Sequence, residues 1–145
     1  MTMWRRSFAV LLLVLALGAC SKPPYSNIDN AQLKSLIAQG VPIYDVRRPE
    51  EWRQTGVVEG SRMLTWVNKS GQPSPEFMPR LSAEIDKNAP LILICRTGNR
   101  TDQLARELME KHGYTRVYSV QHGITGWMGD NLPVVKNKAD PVRKT

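Results

Sequence analysis

The most restrictive feature of the chain is a run of four apolar residues, Leu91-Ile92-Leu93-Ile94, between Ala89-Pro90 and a polar stretch from Arg96 to Arg100. Four consecutive apolar residues between turn signals predict a strand buried on both faces. Such a strand needs a layer above it and a layer below. The flanking segments supply helical patterns for both. Asp29 caps a helix, with Gln32 completing a capping box and Ile28 stapling onto Leu33; Leu33, Leu36 and Ile37 share its apolar face, and Gly40 ends it. A second helix is expected from about Arg100 to His112, with Leu104, Leu108 and Met109 on one side and Gly113 at its end.

Between these lie further short elements. Residues 41–46 read as a strand entered through Pro42, and Pro49 opens a short helical turn that Gly56 breaks. Residues 57–66 read as a less regular extended stretch, and 68–75 as a polar loop. A helix then runs to about Lys87; Pro75 and Pro79 are both candidates for its first turn. Residues 116–120 read as a strand and 122–128 as a short helix. At 145 residues the chain has room for one domain. The alternation of helix and strand predicts an α/β domain with a mainly parallel sheet. Ligands of such sheets gather at the carboxyl ends of the strands, and Cys95 falls there.

The N-terminal segment predicts export. Arg5 and Arg6 precede ten apolar residues, Phe8 to Leu17. That run is too short for a bilayer span of about 20 residues and matches the apolar core of a signal peptide. It ends in Leu17-Gly18-Ala19-Cys20, which resembles the lipobox of bacterial lipoproteins. The resemblance implies cleavage after residue 19, acylation of Cys20 and membrane anchorage in the periplasm; Ser21 rather than aspartate favours the outer membrane of a Gram-negative cell. Removing residues 1–19 takes away Arg5 and Arg6 and no acid, so the formal charge falls from +7 to +5. The expected organisation is a signal peptide at 1–19, an acylated cysteine and tether at 20–27, a domain at 28–135 and a basic disordered tail at 136–145.

Cys95 would then be the one free thiol in an oxidising compartment, and it is either buried and inert or a working nucleophile. Its neighbours favour the second role. A strand delivers the thiol to a loop that runs into a helix, so backbone N–H groups and the helix N-terminus favour an anion there. Arg96 and Arg100 add two positive charges, and Gly98 permits the bend. All of these favour thiolate over thiol.

Cys95-Arg96-Thr97-Gly98-Asn99-Arg100 resembles the six-residue active-site loop of single-domain rhodaneses. Asp45-Val46-Arg47 followed by Pro49-Glu50-Glu51-Trp52 resembles the family's first signature, and Gly123-Ile124-Thr125-Gly126-Trp127 its C-terminal glycine–tryptophan segment. The resemblance implies a rhodanese-like single domain, α/β, with a mainly parallel five-stranded sheet flanked by helices on both faces. It implies a sulfurtransferase without metal or organic cofactor, in which Cys95 takes sulfane sulfur from a small anionic donor such as thiosulfate and passes it to cyanide or a thiol. Arg96, Thr97, Gly98, Asn99 and Arg100 would bind the substrate, with either arginine touching the donor. Asp45 and Arg47 would support the loop or form a structural ion pair. His122 stands where the family often has glycine and is a candidate for handling the acceptor's proton. Trp52 and Trp127 are expected in the core, and a monomer is the favoured state.

Other classes fit less well. Phosphatases and arsenate reductases need five residues between cysteine and arginine; here Arg96 to Asn99 make four. Nucleic-acid binding is not expected, because the basic residues do not alternate with exposed aromatics. A non-catalytic module that senses sulfur or binds a partner at the envelope is the alternative to an enzyme.

Overall fold

A computed structural model describes residues 22–136. The leader, Cys20 and the tail beyond Lys136, on which the export and acylation expectations rest, lie outside the described residues. Five strands form one sheet: β1 (Ser26–Ile28), β2 (Ile43–Asp45), β3 (Arg62–Met63), β4 (Leu91–Ile94) and β5 (Val117–Val120), in the spatial order β1-β5-β4-β2-β3. Every pairing between them is parallel. Five helices connect and cover them: α1 (Asn30–Ala38), α2 (Pro49–Thr55), α3 (Phe77–Glu84), α4 (Asn99–Lys111) and α5 (Gly123–Gly129).

The expected central strand is β4, and all four of its residues are fully buried. Strand alternation divides them between two cores. Leu91 and Leu93 pack with Phe77 and Leu81 of α3 and with Leu104, Ala105 and Leu108 of α4. Ile92 and Ile94 pack on the opposite face with Leu33 of α1 and with Ile124 and Trp127 of α5. By the same alternation Cys95 continues the face that α4 covers.

The helix-start signals have their expected partners. Asp29 Oδ1 accepts from the Gln32 N–H at 2.8 Å, and the Asp29 N–H donates to Gln32 Oε1 at 3.0 Å. Pro49 is the first residue of α2. In α3 the helix starts at Phe77, which puts Pro79 in its first turn and Pro75 outside it. The extended stretch from 57 to 66 contributes only two residues to the sheet, while Val57 bridges antiparallel to Val135 and fastens the returning C-terminal segment.

One boundary differs from the sequence expectation. Ser26 and Asn27, read as the end of a tether, are structured: together with Ile28 they pair with Tyr118, Ser119 and Val120. Tyr25 and Ile28 are both buried. β1 therefore covers the edge of β5. A chain starting at Asp29 loses both buried side chains and is expected to be about 3–6 kcal/mol less stable to denaturant; equal stability would show that β1 contributes nothing.

Candidate active site

The site is built where β2 and β4 end side by side. β4 delivers Cys95, and the loop to α4 turns at Gly98, whose φ is +100°. No side chain is tolerated at that turn: a Cβ on Gly98 would lie 2.2 Å from the Gln121 carbonyl oxygen. Cys95 is 1% exposed. Its Sγ nevertheless has polar neighbours, accepting the Gly98 N–H at 3.2 Å and lying 3.6 Å from Thr101 Oγ1.

The direction of the loop is fixed from behind by α5. The N–H of Ile124 donates to the Cys95 carbonyl at 2.9 Å, and that of Thr125 to the Arg96 carbonyl at 3.1 Å. In a trans peptide the carbonyl and the following N–H point opposite ways. Holding these two carbonyls against α5 therefore turns the N–H groups of Arg96 and Thr97 away from it. Among the described residues, no protein acceptor faces the N–H of Arg96, Thr97, Asn99 or Arg100. Open amides at the N-terminus of a 13-residue helix form a place for an anion. Gly123 makes the approach possible, since a Cβ there would come within 2.5 Å of the Cys95 and Arg96 carbonyls.

The two arginines of the loop are not equivalent. Arg100 donates twice to Glu51 of α2, at 2.6 and 2.9 Å. These hydrogen bonds outweigh burial and raise the Arg100 pKa. Burial pushes the Glu51 carboxyl up, but the Arg100 hydrogen bonds, the Arg48 N–H and both guanidinium charges overcome it and hold the group at about 2. Arg96 is exposed and has no ion-pair partner among the described residues. Thr97 and Asn99 are exposed beside it.

Asp45 and Arg47 form a fully buried pair, with Arg47 Nη2 2.7 Å from Asp45 Oδ2. The remaining Arg47 donors go to Thr55 Oγ1 at 2.8 Å, the Gly56 carbonyl at 2.9 Å and the Glu51 carbonyl at 3.5 Å. None reaches the Cys95 loop. The pair acts on α2, and α2 acts on the loop through Glu51. Glu51 is the site residue that the sequence reading missed; it looked like an ordinary acid in the first turn of a helix. The imidazole of His122 is exposed and makes no hydrogen bond to the loop among the described residues. Trp52 and Trp127 are buried.

Two expectations follow. Gly123→Ala combines a φ of +55° with a backbone clash and should cost about 3 kcal/mol or more, whereas Gly129→Ala, which meets nothing within 4 Å, should be neutral or stabilising in the same denaturation experiment. Glu51 is depressed from 4.5 to about 2 on folding, so its contribution is complete above about 4.5 and is lost as the pH falls toward about 2. Glu51→Gln should therefore be less stable than the wild type by about 1–2 kcal/mol at pH 7, with the gap closing across that acidic window.

Known proteins share this sequence pattern and fold. Residues 29–130 match the model of the rhodanese-like domain family. A protein of Allochromatium vinosum named sulfurtransferase is 30% identical over 112 residues, covering 76% of this chain and 94% of its own. Thiosulfate sulfurtransferase 18 of Arabidopsis thaliana is 24% identical over 120 residues, covering 79% and 87%. The crystal structure of Rv0390 from M. tuberculosis superposes with a TM-score of 0.65 at 26% identity, covering 77% of this chain and 98% of that one. The chain belongs to the rhodanese-like domain family and has, at the level of that family, a sulfurtransferase-type function.

Proposed function

We propose that the protein moves a sulfane sulfur from a small anionic donor such as thiosulfate to a thiophilic acceptor through a Cys95 persulfide. The observation that carries this reading is the Gly98 N–H on Cys95 Sγ, at the floor of a loop whose other amides have no protein acceptor among the described residues. In the first step the Cys95 thiolate attacks the outer sulfur of thiosulfate. An Sγ–S bond forms, the donor's S–S bond breaks, and its electron pair leaves on sulfite. The terminal sulfur of the persulfide carries the negative charge, and the open amides are its hydrogen-bond donors. In the second step cyanide or a thiolate takes that terminal sulfur, and the electron pair returns to Sγ. Two displacements on one nucleophile give ping-pong kinetics.

A cysteine that is 1% exposed favours a donor with a small reacting end. Arg96 is the cation left to draw that donor in, because Glu51 neutralises Arg100. The leader sequence supports a place outside the cytoplasm, with acyl chains on Cys20 as the anchor.

Intact-mass measurement after thiosulfate treatment should show the gain of one sulfur atom, removed by cyanide and absent in Cys95→Ser. No gain would refute the persulfide. Arg96→Ala should raise KM for thiosulfate by about tenfold while changing use of a neutral donor little; equal losses would refute the charge argument. Cys20→Ala should release the protein from membranes, and unchanged membrane association would refute the anchor.

A further inference from the structure

Behind the sulfur lies a short line of buried hydroxyls. Thr101, in the first turn of α4, and Ser119, in β5, are both fully buried. Thr101 Oγ1 lies 3.6 Å from Cys95 Sγ, 2.8 Å from the Gly98 carbonyl oxygen and 2.9 Å from Ser119 Oγ. Ser119 Oγ lies 2.8 Å from Asp102 Oδ1. A hydroxyl buried without partners is costly, so this line is either fully bonded or a liability.

We infer that the Thr101 hydroxyl is a second hydrogen-bond donor to the Cys95 thiolate, with Ser119 and Asp102 as positioning residues behind it. The inference rests on the reading of Cys95 as the nucleophile.

Counting protons gives the reason. Each hydroxyl has one to donate. With Cys95 as a thiol, S–H donates to Thr101, Thr101 donates to the Gly98 carbonyl, and Ser119 donates to Asp102. When the sulfur is ionised it becomes an acceptor, and the Thr101 proton can turn toward it. That turn strands nothing, because the Gly98 carbonyl keeps the Asp102 N–H at 2.9 Å. Ser119 can then turn its one proton from Asp102 Oδ1, on a partly exposed carboxylate, to Thr101 Oγ1, which polarises the Thr101 O–H toward sulfur. The thiolate thus holds two donors, Gly98 N–H and Thr101 O–H. Once Sγ carries the transferred sulfur its charge is gone, and Thr101 returns to the Gly98 carbonyl. The hydroxyl follows the charge on sulfur through the reaction cycle.

The charged groups on the elements that meet at the site are Arg96 in the loop, Arg100 and Asp102 in the first turn of α4, Asp45 at the end of β2, Arg47 just beyond it and Glu51 on α2, with His122 just before α5. None of them bonds the Thr101 hydroxyl, so the ratio between Thr101→Val and wild type isolates that hydroxyl; Ser119→Ala also takes a hydrogen bond from Asp102.

The test is alkylation of the full chain by iodoacetamide across pH, read at the Cys95 peptide by mass. Thr101→Val should react about 5- to 10-fold more slowly than the wild type near pH 6.5 and at about the same rate near pH 10, above the usual range of a thiol. Thr101→Ser should stay within about twofold of the wild type at both, because the donor is kept. Ser119→Ala should slow the low-pH rate by about threefold, through Thr101. A Thr101→Val ratio that is flat with pH would overturn the proposal, since a change of shape or access slows both ends alike. If Thr101→Val does not fold, a folded Ser119→Ala with wild-type rates overturns it instead. Absence of a persulfide with this pH pattern intact would remove sulfur transfer and leave the hydroxyl's role standing. A persulfide with a flat ratio would do the reverse.

Discussion

Two backbone carbonyls decide which way the reactive loop faces. Those of Cys95 and Arg96 are engaged by the first N–H groups of α5, and planarity of the peptide does the rest. Without that clamp the loop amides would have no fixed direction, and the sulfur would sit among apolar neighbours with little to favour its charge. The glycine–tryptophan segment is thus a backrest for the loop. Gly123 allows α5 to come close, and Ile124 and Trp127 hold it against the sheet.

A second support comes from the other side and is electrostatic. Arg47 spends its donors on Asp45, Thr55 and the Gly56 and Glu51 carbonyls, which fixes α2 on the end of β2. α2 then presents Glu51 to Arg100. A buried pair such as Asp45–Arg47 is weak evidence for stability in itself. Here it orients a helix whose carboxylate fixes the first turn of α4, and so the pair affects the site without touching it. One of the two loop cations is neutralised in the process. A positive formal charge on the whole chain therefore overstates how positive the site is.

The sequence made legible what local patterns determine. The run 91–94 announced a doubly buried strand, the Asp29–Gln32 box announced the start of α1, and the placement of Cys95 before a glycine turn announced the loop. What escaped depends on partners far away in sequence. Ser26–Ile28 is three residues long and mostly polar; it is a strand because β5 offers it an edge. Glu51 and Arg100 are 49 positions apart, and nothing in either neighbourhood points to the other. Thr101 and Ser119 are 18 apart, each ordinary in its own element. The two arginines of the loop look alike in sequence and differ only in whether a carboxylate lies within reach.

The register of β1 carries a geographical consequence. Ser26 and Ile92 both pair with Tyr118, so the chain joins the sheet level with Ile92, three residues short of Cys95. At about 3.3 Å per residue that is roughly 10 Å along the strand axis. All strands run the same way, so the chain joins the sheet toward the end away from the sulfur. A pull on the chain upstream of β1 is thus taken up by the β1–β5 pairing, at the end of the strands away from the loop that carries the sulfur.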